Sequence, residues 1–404
     1  MSQGLLYHGF GVRGYRWEGE EFSGRQWCIR IAPEPETLRC SQCGSRNVIR
    51  RGQELREFRT LPLGSRATFL RLGVQRVECR ACGALRQTPV DFAPPRCHYT
   101  HSFARYVLEL SQLMTLQDVA RHLHVNWDLV KAIQKQYLQR HFAKPRLRDL
   151  KQIAIDEIAV AKGRRYQTLV MDLETGAIVY VGEGHDHTAL DGFWKRLHAS
   201  HAQVEAVAMD FSAPYHLAVR THLPKAAIVF DHFHLLQIYN QKLTALRRDL
   251  QREATTRLHK DTLKGLRWLL LMNPENLDAG RDEPRRLQEA LQLNAPLATA
   301  YYLKEDLRQL WSQTSKSAAE RFLNGWVRRA ESAGITMLQE FAKTLQRFRL
   351  GILAWYDYPI TTGPLEGTNH KIKNLKRMAY GYRDQEFFRL KLFALHNSKY
   401  ALIG

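Results

Sequence analysis

The sequence predicts a multidomain α/β protein, and three observations carry that reading. Two Cys-x-x-Cys pairs lie near the N-terminus. From Lys151 onward the pattern runs three strands, helix, strand, helix, strand. After Asp231 the chain keeps helical spacing for over 100 residues. At roughly 150 residues per domain, 404 residues imply two or three domains. A hydrophobic fraction of 44% excludes a disordered chain. The longest apolar stretches, such as Trp268 to Met272, fall far short of the ~20 residues that span a bilayer. The start, Met1-Ser2-Gln3-Gly4, carries no basic region followed by an apolar one, so no secretory signal is expected. A cytoplasmic protein with no membrane partner is the expectation.

Charge sharpens this. Of the net +20, residues 1–150 contribute +11, 151–360 +4 and 361–404 +5. Basic ends around a nearly balanced middle favour a polyanionic partner, nucleic acid first, because neutralising phosphates releases condensed counterions.

The first element is a zinc ribbon. Cys40-Ser41-Gln42-Cys43 and Cys79-Arg80-Ala81-Cys82 are each followed by Gly, and 35 residues separate them. Two residues between thiolates let one tight turn present both sulfurs to one ion, and the Gly tolerates the turn. Cys40, Cys43, Cys79 and Cys82 are the expected Zn2+ ligands, with strands at Val48-Ile49 and Thr68 to Val77. The alternatives, redox motifs or disulfides, would need a βαβ context or an oxidising compartment. Cys28 and Cys97 are expected to be buried small residues.

A helix-turn-helix follows. Thr115 caps a first helix, with Asp118 three positions on. Leu116, Val119, Ala120 and Leu123 make its apolar stripe, and His124-Val125-Asn126 is the turn. Asn126 caps a second helix whose inner face is Leu129, Val130, Ile133 and Tyr137. That helix would offer Asn126, Trp127, Asp128, Lys131 and Lys135 to the major groove. An ordinary helical hairpin is the competing reading.

The central pattern has strands at Gln152 to Val160, Tyr166 to Asp172 and Ala177 to Val181, with a turn at Glu174-Thr175-Gly176. A helix capped by Asp186, a strand at Val204 to Ala208, a helix at Tyr215 to His222 and a strand at Ala226 to Phe230 complete it. This is the order of a ribonuclease-H-like fold, a platform for metal-dependent phosphoryl transfer. The helical stretch that follows reads as an all-helical insertion, since it is too long for a loop. The expected domains are a zinc-ribbon domain over 1–97, a helix-turn-helix over 98–148, a ribonuclease-H-like domain over 149–232 and 361–404, and the insertion over 233–360.

Such a platform holds two divalent ions on about three carboxylates. Asp156 lies mid-strand, where a charge is costly unless it binds metal or sits at an edge. Asp210 ends the fourth strand, which neighbours the first in this fold. Glu366 opens a helix behind Pro364, and Glu366, Asn369, His370, Lys373 and Arg377 share one face of it. From Lys371 to Arg383 there are five basic residues and no acid. Glu157 and Asp231 compete for the acidic roles. Asp231-His232-Phe233-His234 and His185-Asp186-His187 look like metal clusters but lack an obvious third ligand.

With these residues in view, the chain resembles the ISL-three family of bacterial insertion-sequence transposases over nearly its whole length. The most specific segments are Ile155-Asp156-Glu157, Ala208-Met209-Asp210 with Tyr215, Asp231-His232-Phe233-His234, and Gly363-Pro364-Leu365-Glu366-Gly367-Thr368-Asn369 leading to Tyr380-Gly381-Tyr382-Arg383. The resemblance implies a DDE catalytic domain with the triad Asp156, Asp210 and Glu366 on Mg2+ or Mn2+. It implies binding of double-stranded DNA at terminal inverted repeats, nicking there, and strand transfer into target DNA. Asn369, Lys373, Lys376, Arg377 and Arg383 would contact DNA beside the triad. A homodimer or larger synaptic complex, nucleoid-associated when bound, would join two ends. Other readings are a zinc-ribbon and helix-turn-helix regulator, a structure-specific nuclease and an inactive domesticated relative.

Overall fold

The computed structural model describes residues 4–161 and 165–397. The chain forms two compact units, Met1–Lys144 with Ile372–Gly404, and Pro145–Lys371.

The first unit opens with a five-stranded sheet: β1 (Tyr15–Ser23), β2 (Gln26–Pro33), β3 (Val48–Arg59), β4 (Ala67–Cys79) and β5 (Leu85–Gln87). The order is β1-β2-β4-β3, with β5 on β4. β2 runs parallel to β4, and the other pairs are antiparallel. β4 alternates between buried and half-exposed positions along most of its length, as a strand with one covered face should. Ile29, Ile31, Phe58, Leu70, Leu72 and Val74 fill the core beneath it. The sheet is larger than the sequence suggests. β1 and β2 are hidden there because their outward faces are dense with Arg16, Glu18, Glu20, Glu21 and Arg30. On the folded sheet Glu21 pairs with Arg30 and Arg71.

Helices α1 (His101–Leu110), α2 (Leu116–Leu123) and α3 (Trp127–Phe142) follow. Thr115 caps α2 by accepting from the Asp118 N–H, and Asn126 caps α3 by accepting from that of Asp128. Between them His124 takes the left-handed conformation, φ 53°, where this kind of turn often carries Gly. Val119, Ala120, Leu123, Val130 and Ile133 bury against Phe103 and Val107. Tyr137, expected on the inner face of α3, is exposed, and Gln134 and Leu138 are buried instead.

The second unit carries β6 (Gln152–Ala161), β7 (Arg165–Asp172), β8 (Ile178–Glu183), α4 (Asp191–Ser200), β9 (Ala206–Met209), α5 (Ala213–His222) and β10 (Ala227–Phe230). The strand order is β10-β9-β6-β7-β8. β10, β9 and β6 are parallel, whereas β6, β7 and β8 form an antiparallel meander. β9 is buried at every position, as a strand covered on both faces must be.

A helical block comes next: α6 (His232–Glu253), α7 (Arg257–Gly265), α8 (Glu283–Gln292), α9 (Ala295–Arg308), α10 (Lys316–Ser332) and α11 (Thr336–Leu353). Its leucines close a core with Tyr239, Trp326 and Phe341 at its centre, rings that meet edge-on. The indole N–H of Trp326 donates to the Leu303 carbonyl at 2.8 Å. The block is seated on the sheet through α11. Phe348 stands edge-on to Phe230 and Phe211, and a Cβ on Gly351 would meet Phe230 at 2.4 Å. Only glycine permits that approach.

Two helices end the described chain, α12 (Gly363–Met378) and α13 (Gln385–Ala394). The sequence pattern groups 361–404 with the central strands. In the structure, residues from Ile372 belong with the first unit. Phe387, Leu390 and Ala394 of α13 bury against Leu138 of α3, so the apolar face of α13 finds its partner there. Residues 1–3 and 398–404 of the expected terminal domains lie outside the described residues.

Candidate active site and metal centre

The four paired cysteines meet at one point. Their sulfurs all lie within 4.8 Å of one another, with Cys40 to Cys82 at 3.8 Å and Cys43 to Cys79 at 3.5 Å. A tetrahedral ion with ~2.3 Å bonds to sulfur sets its ligands ~3.8 Å apart, so the cluster has the size of a zinc site. Gly44 and Gly83 take positive φ, 75° and 71°. Each turn then closes with an N–H of Gly on the carbonyl of the first cysteine, at 3.0 and 2.8 Å. Backbone N–H groups, foremost those of Cys82 and Ala81, pull the Cys79 thiol down to about 6. Thiolate is the form that binds metal. Cys28 and Cys97 remain free and outside the cluster.

The acidic site is built by strand register. Ile155 pairs with Met209, and Met209 with Phe230. Asp156, within β6, and Asp210 and Asp231, just past the ends of β9 and β10, therefore follow three paired positions in a row across adjacent parallel strands. Their carboxylates then diverge in use. Asp156 accepts from the Glu157 N–H at 2.8 Å through one oxygen and from Asn369 Nδ2 at 2.8 Å through the other. Asp210 accepts from the Ser212 N–H at 3.1 Å. Burial raises the pKa of both. Asp156 reaches about 6, with the Asp210 charge adding to the rise. Among the described residues no lysine or arginine pairs with either.

Asp231, 1% exposed, takes a different part. It caps α6 through the Phe233 N–H at 2.7 Å, and it accepts from both the N–H and the hydroxyl of Thr362 at 2.8 Å each. Burial would raise its carboxyl, but the His234 side chain first, and then these donors, hold it far below the usual range. One carboxylate thus ties the start of α6 to the residue before α12. His234, one turn into α6, sits with Nδ1 3.9 Å from Asp231 and 3.8 Å from Glu366 of α12. Asp231 raises the His234 pKa, burial opposes the rise, and Asp210 and Asp156 support it. Glu157 points elsewhere and accepts from Tyr215 Oη at 3.0 Å. In the second histidine cluster, Asp186 caps the turn at Thr188 instead of facing a metal.

The residues expected to face DNA divide. Trp127 and Asn126 are exposed at the start of α3, with Asn126 also serving as its cap. Lys131 and Lys135 do not project freely from α3. Both reach Asp384 at 3.0 Å, and Lys135 also reaches Glu386 at 2.7 Å. Asn369 is 7% exposed and spends its amide on Asp156. Lys373, Arg377 and Arg383 are exposed, and Lys376 is half-buried.

Three family models match the chain. A transposase model covers residues 153–392. A model of the helix-turn-helix domain of transposase family ISL3 covers 88–138, and one of the zinc-finger of the IS204/IS1001/IS1096/IS1165 transposases covers 36–82. The chain belongs to the ISL3 family of transposases. It is 34% identical to the transposase for insertion sequence element IS1001 of Bordetella parapertussis, across 96% of this chain and 95% of that one. It is 28% identical to the transposase for IS1557 of Mycobacterium tuberculosis, across 96% and 92%. The Drosophila P element transposase strand transfer complex matches with a TM-score of 0.37 and 11% identity over 74% of this chain and 93% of that one, a likeness too loose to place any residue.

In this ISL3 transposase, three residues beside the acidic row take roles that the sequence does not announce. Its pattern offers Asn369 to DNA, and Asp231 and His234 to a metal cluster without a third ligand. The available signal is the Asp231-x-x-His234 spacing behind a buried strand, which puts a capping carboxylate and an imidazole on the same turn. No helix among the described residues is long and apolar enough to cross a membrane.

Proposed function

We propose that this ISL3-family protein is a DDE transposase that binds the terminal inverted repeats of an insertion sequence, cuts at the element ends and joins them to target DNA. The observation that carries the reading is that Asp156 and Asp210 each follow a paired position of neighbouring parallel strands, Ile155 and Met209, with Asn369 of α12, the helix of Glu366, bonded to Asp156. The strand order supports a ribonuclease-H-like catalytic domain, with the helices between Asp231 and Thr362 as its insertion.

Asp156, Asp210 and Glu366 are the proposed holders of Mg2+ or Mn2+. The donor set fits: ionising two half-buried, adjacent carboxylates with no lysine or arginine paired to them is costly until a cation balances them. When bound, such ions activate the attacking oxygen and stabilise the leaving one in phosphodiester cleavage and transfer. The chain's own part is to hold that geometry. Asn369 fixes one oxygen of Asp156, Asp231 anchors the approach to α12, and His234 lies against Glu366. Exposed Lys373, Arg377 and Arg383 extend along and beyond α12, suited to backbone phosphates. The four-cysteine cluster supports Zn2+, and the ribbon and helix-turn-helix are the proposed readers of the ends. Joining two ends requires a dimer or larger complex.

The test compares wild type with Glu366→Gln on duplexes carrying the element ends, with Mg2+ or Mn2+. Nicking and joining by wild type alone, with end binding kept in the variant, is expected. Equal cleavage by both removes Glu366 from the site. Binding without cleavage by wild type favours a regulator or an inactive relative.

A further inference from the structure

A cavity of about 420 Å3 opens within the first unit, between the sheet and the turn of the helix-turn-helix. Arg25, Arg59, Phe69 and His98 line it from the sheet side, and His124 and Asn126 from the turn. Four basic side chains face it, and no carboxylate lines it.

Arg59 is the informative member. It is 6% exposed, and none of the ion pairs among the described residues involves it. One guanidinium nitrogen donates to the Leu123 carbonyl at 3.0 Å, and the group lies 5.0 Å from the Phe69 ring and 5.7 Å from that of Phe103. Its Nε is buried and has no hydrogen-bond partner among the described residues. Burial pulls its pKa down, the mark of a cation without a counter-charge. A buried charge of this kind is expensive unless paired and fully bonded. The first turn of α3 borders the same cavity through Asn126 and Leu129, and a helix N-terminus adds a partial positive charge.

We propose that this cavity seats one backbone phosphate of duplex DNA, gripped by Arg25 and Arg59 from the sheet and by His124 from the turn before α3. The proposal rests on the DNA-binding reading above and adds a contact to it. A phosphate supplies the negative charge that the Arg59 guanidinium lacks. It carries no base identity, so its effect is to fix the register in which α3 meets its groove. Further along α3, Lys131 and Lys135 are engaged by Asp384 and Glu386.

The test is the salt dependence of binding to a duplex of arbitrary sequence, read for wild type, Arg25→Gln and His124→Asn. Arg25 is exposed, and Asn tolerates the left-handed turn at 124, so neither change threatens the fold; melting curves check this. Arg25→Gln is expected to make the slope of log K against log salt shallower by about 1, and His124→Asn to weaken binding. A scan of single methylphosphonates along the duplex should find one linkage whose neutralisation weakens wild type several-fold and Arg25→Gln clearly less. Unchanged slopes, or no such linkage, overturn the proposal while duplex binding itself stands. Inorganic phosphate that raises the melting temperature of wild type but not of Arg25→Gln, with unchanged slopes, makes the cavity a free-anion site and also overturns it. Wild type that binds no duplex overturns the DNA-binding reading, and this proposal with it.

Discussion

Asp231 shows how one side chain can serve a site without standing in it. Its carboxylate collects three donors from two segments 131 residues apart. In Asp231→Asn, one oxygen becomes an amide nitrogen facing the Thr362 donors, leaving buried donors unmatched. The expected cost is about 1–3 kcal/mol, read as a lower melting temperature. Cleavage should fall further than end binding, because α12 loses its anchor. The neighbouring Asp156 predicts a pH effect. Its pKa in the folded, metal-free chain is raised to about 6, above its unfolded value. Its contribution to the metal-free fold is therefore present at low pH and lost as pH rises through about 6. A bound cation displaces that proton. Added Mg2+ should raise the melting temperature clearly at pH 8 and little at pH 5; an equal rise at both would remove Asp156 from the cation site.

At the scale of elements, what is readable in the sequence is what is local. The CxxC-Gly turns, the Thr115 and Asn126 caps and the meander from Gln152 to Glu183 all depend on neighbours a few residues apart, and their elements lie close to where the spacing puts them. The strands β1 and β2 are hidden because Arg16, Glu18 and Glu21 mask a modest alternation that only the ion pairs of the finished sheet make sense of. The bonds from Asn369 to Asp156 and from Lys135 to Asp384 bridge 213 and 249 residues, and no local pattern carries them. The packing of α13 on α3 is hidden for the same reason, and it sets a prediction. Leu390 is 3% exposed in the cluster with Leu138 and Phe387. Leu390→Ala should destabilise the first unit by about 2–5 kcal/mol, seen as a lower melting temperature. Asp384→Ala, at the ion-paired rim of the same contact, should cost much less.

For the whole molecule, the proposed function divides zinc binding and cleavage between the two units, and zinc removal should tell them apart. A chelator strong enough to strip the four-cysteine cluster is expected to release about one zinc per chain, melt the first sheet and abolish specific end binding. The transition of the Pro145–Lys371 unit should survive, as should the Mg2+ response of its acidic row. Loss of both together would mean that the units do not fold independently. The separation of Asp156 from Asn369 also has a meaning in time. A ribosome adding ~5–20 residues per second makes the two partners of that bond on the order of 10–40 seconds apart. Until the α12 segment emerges, the nascent chain carries Asp156 and Asp210 without Glu366, so on the proposed reading the triad cannot assemble before the ribbon and the helix-turn-helix have had time to fold.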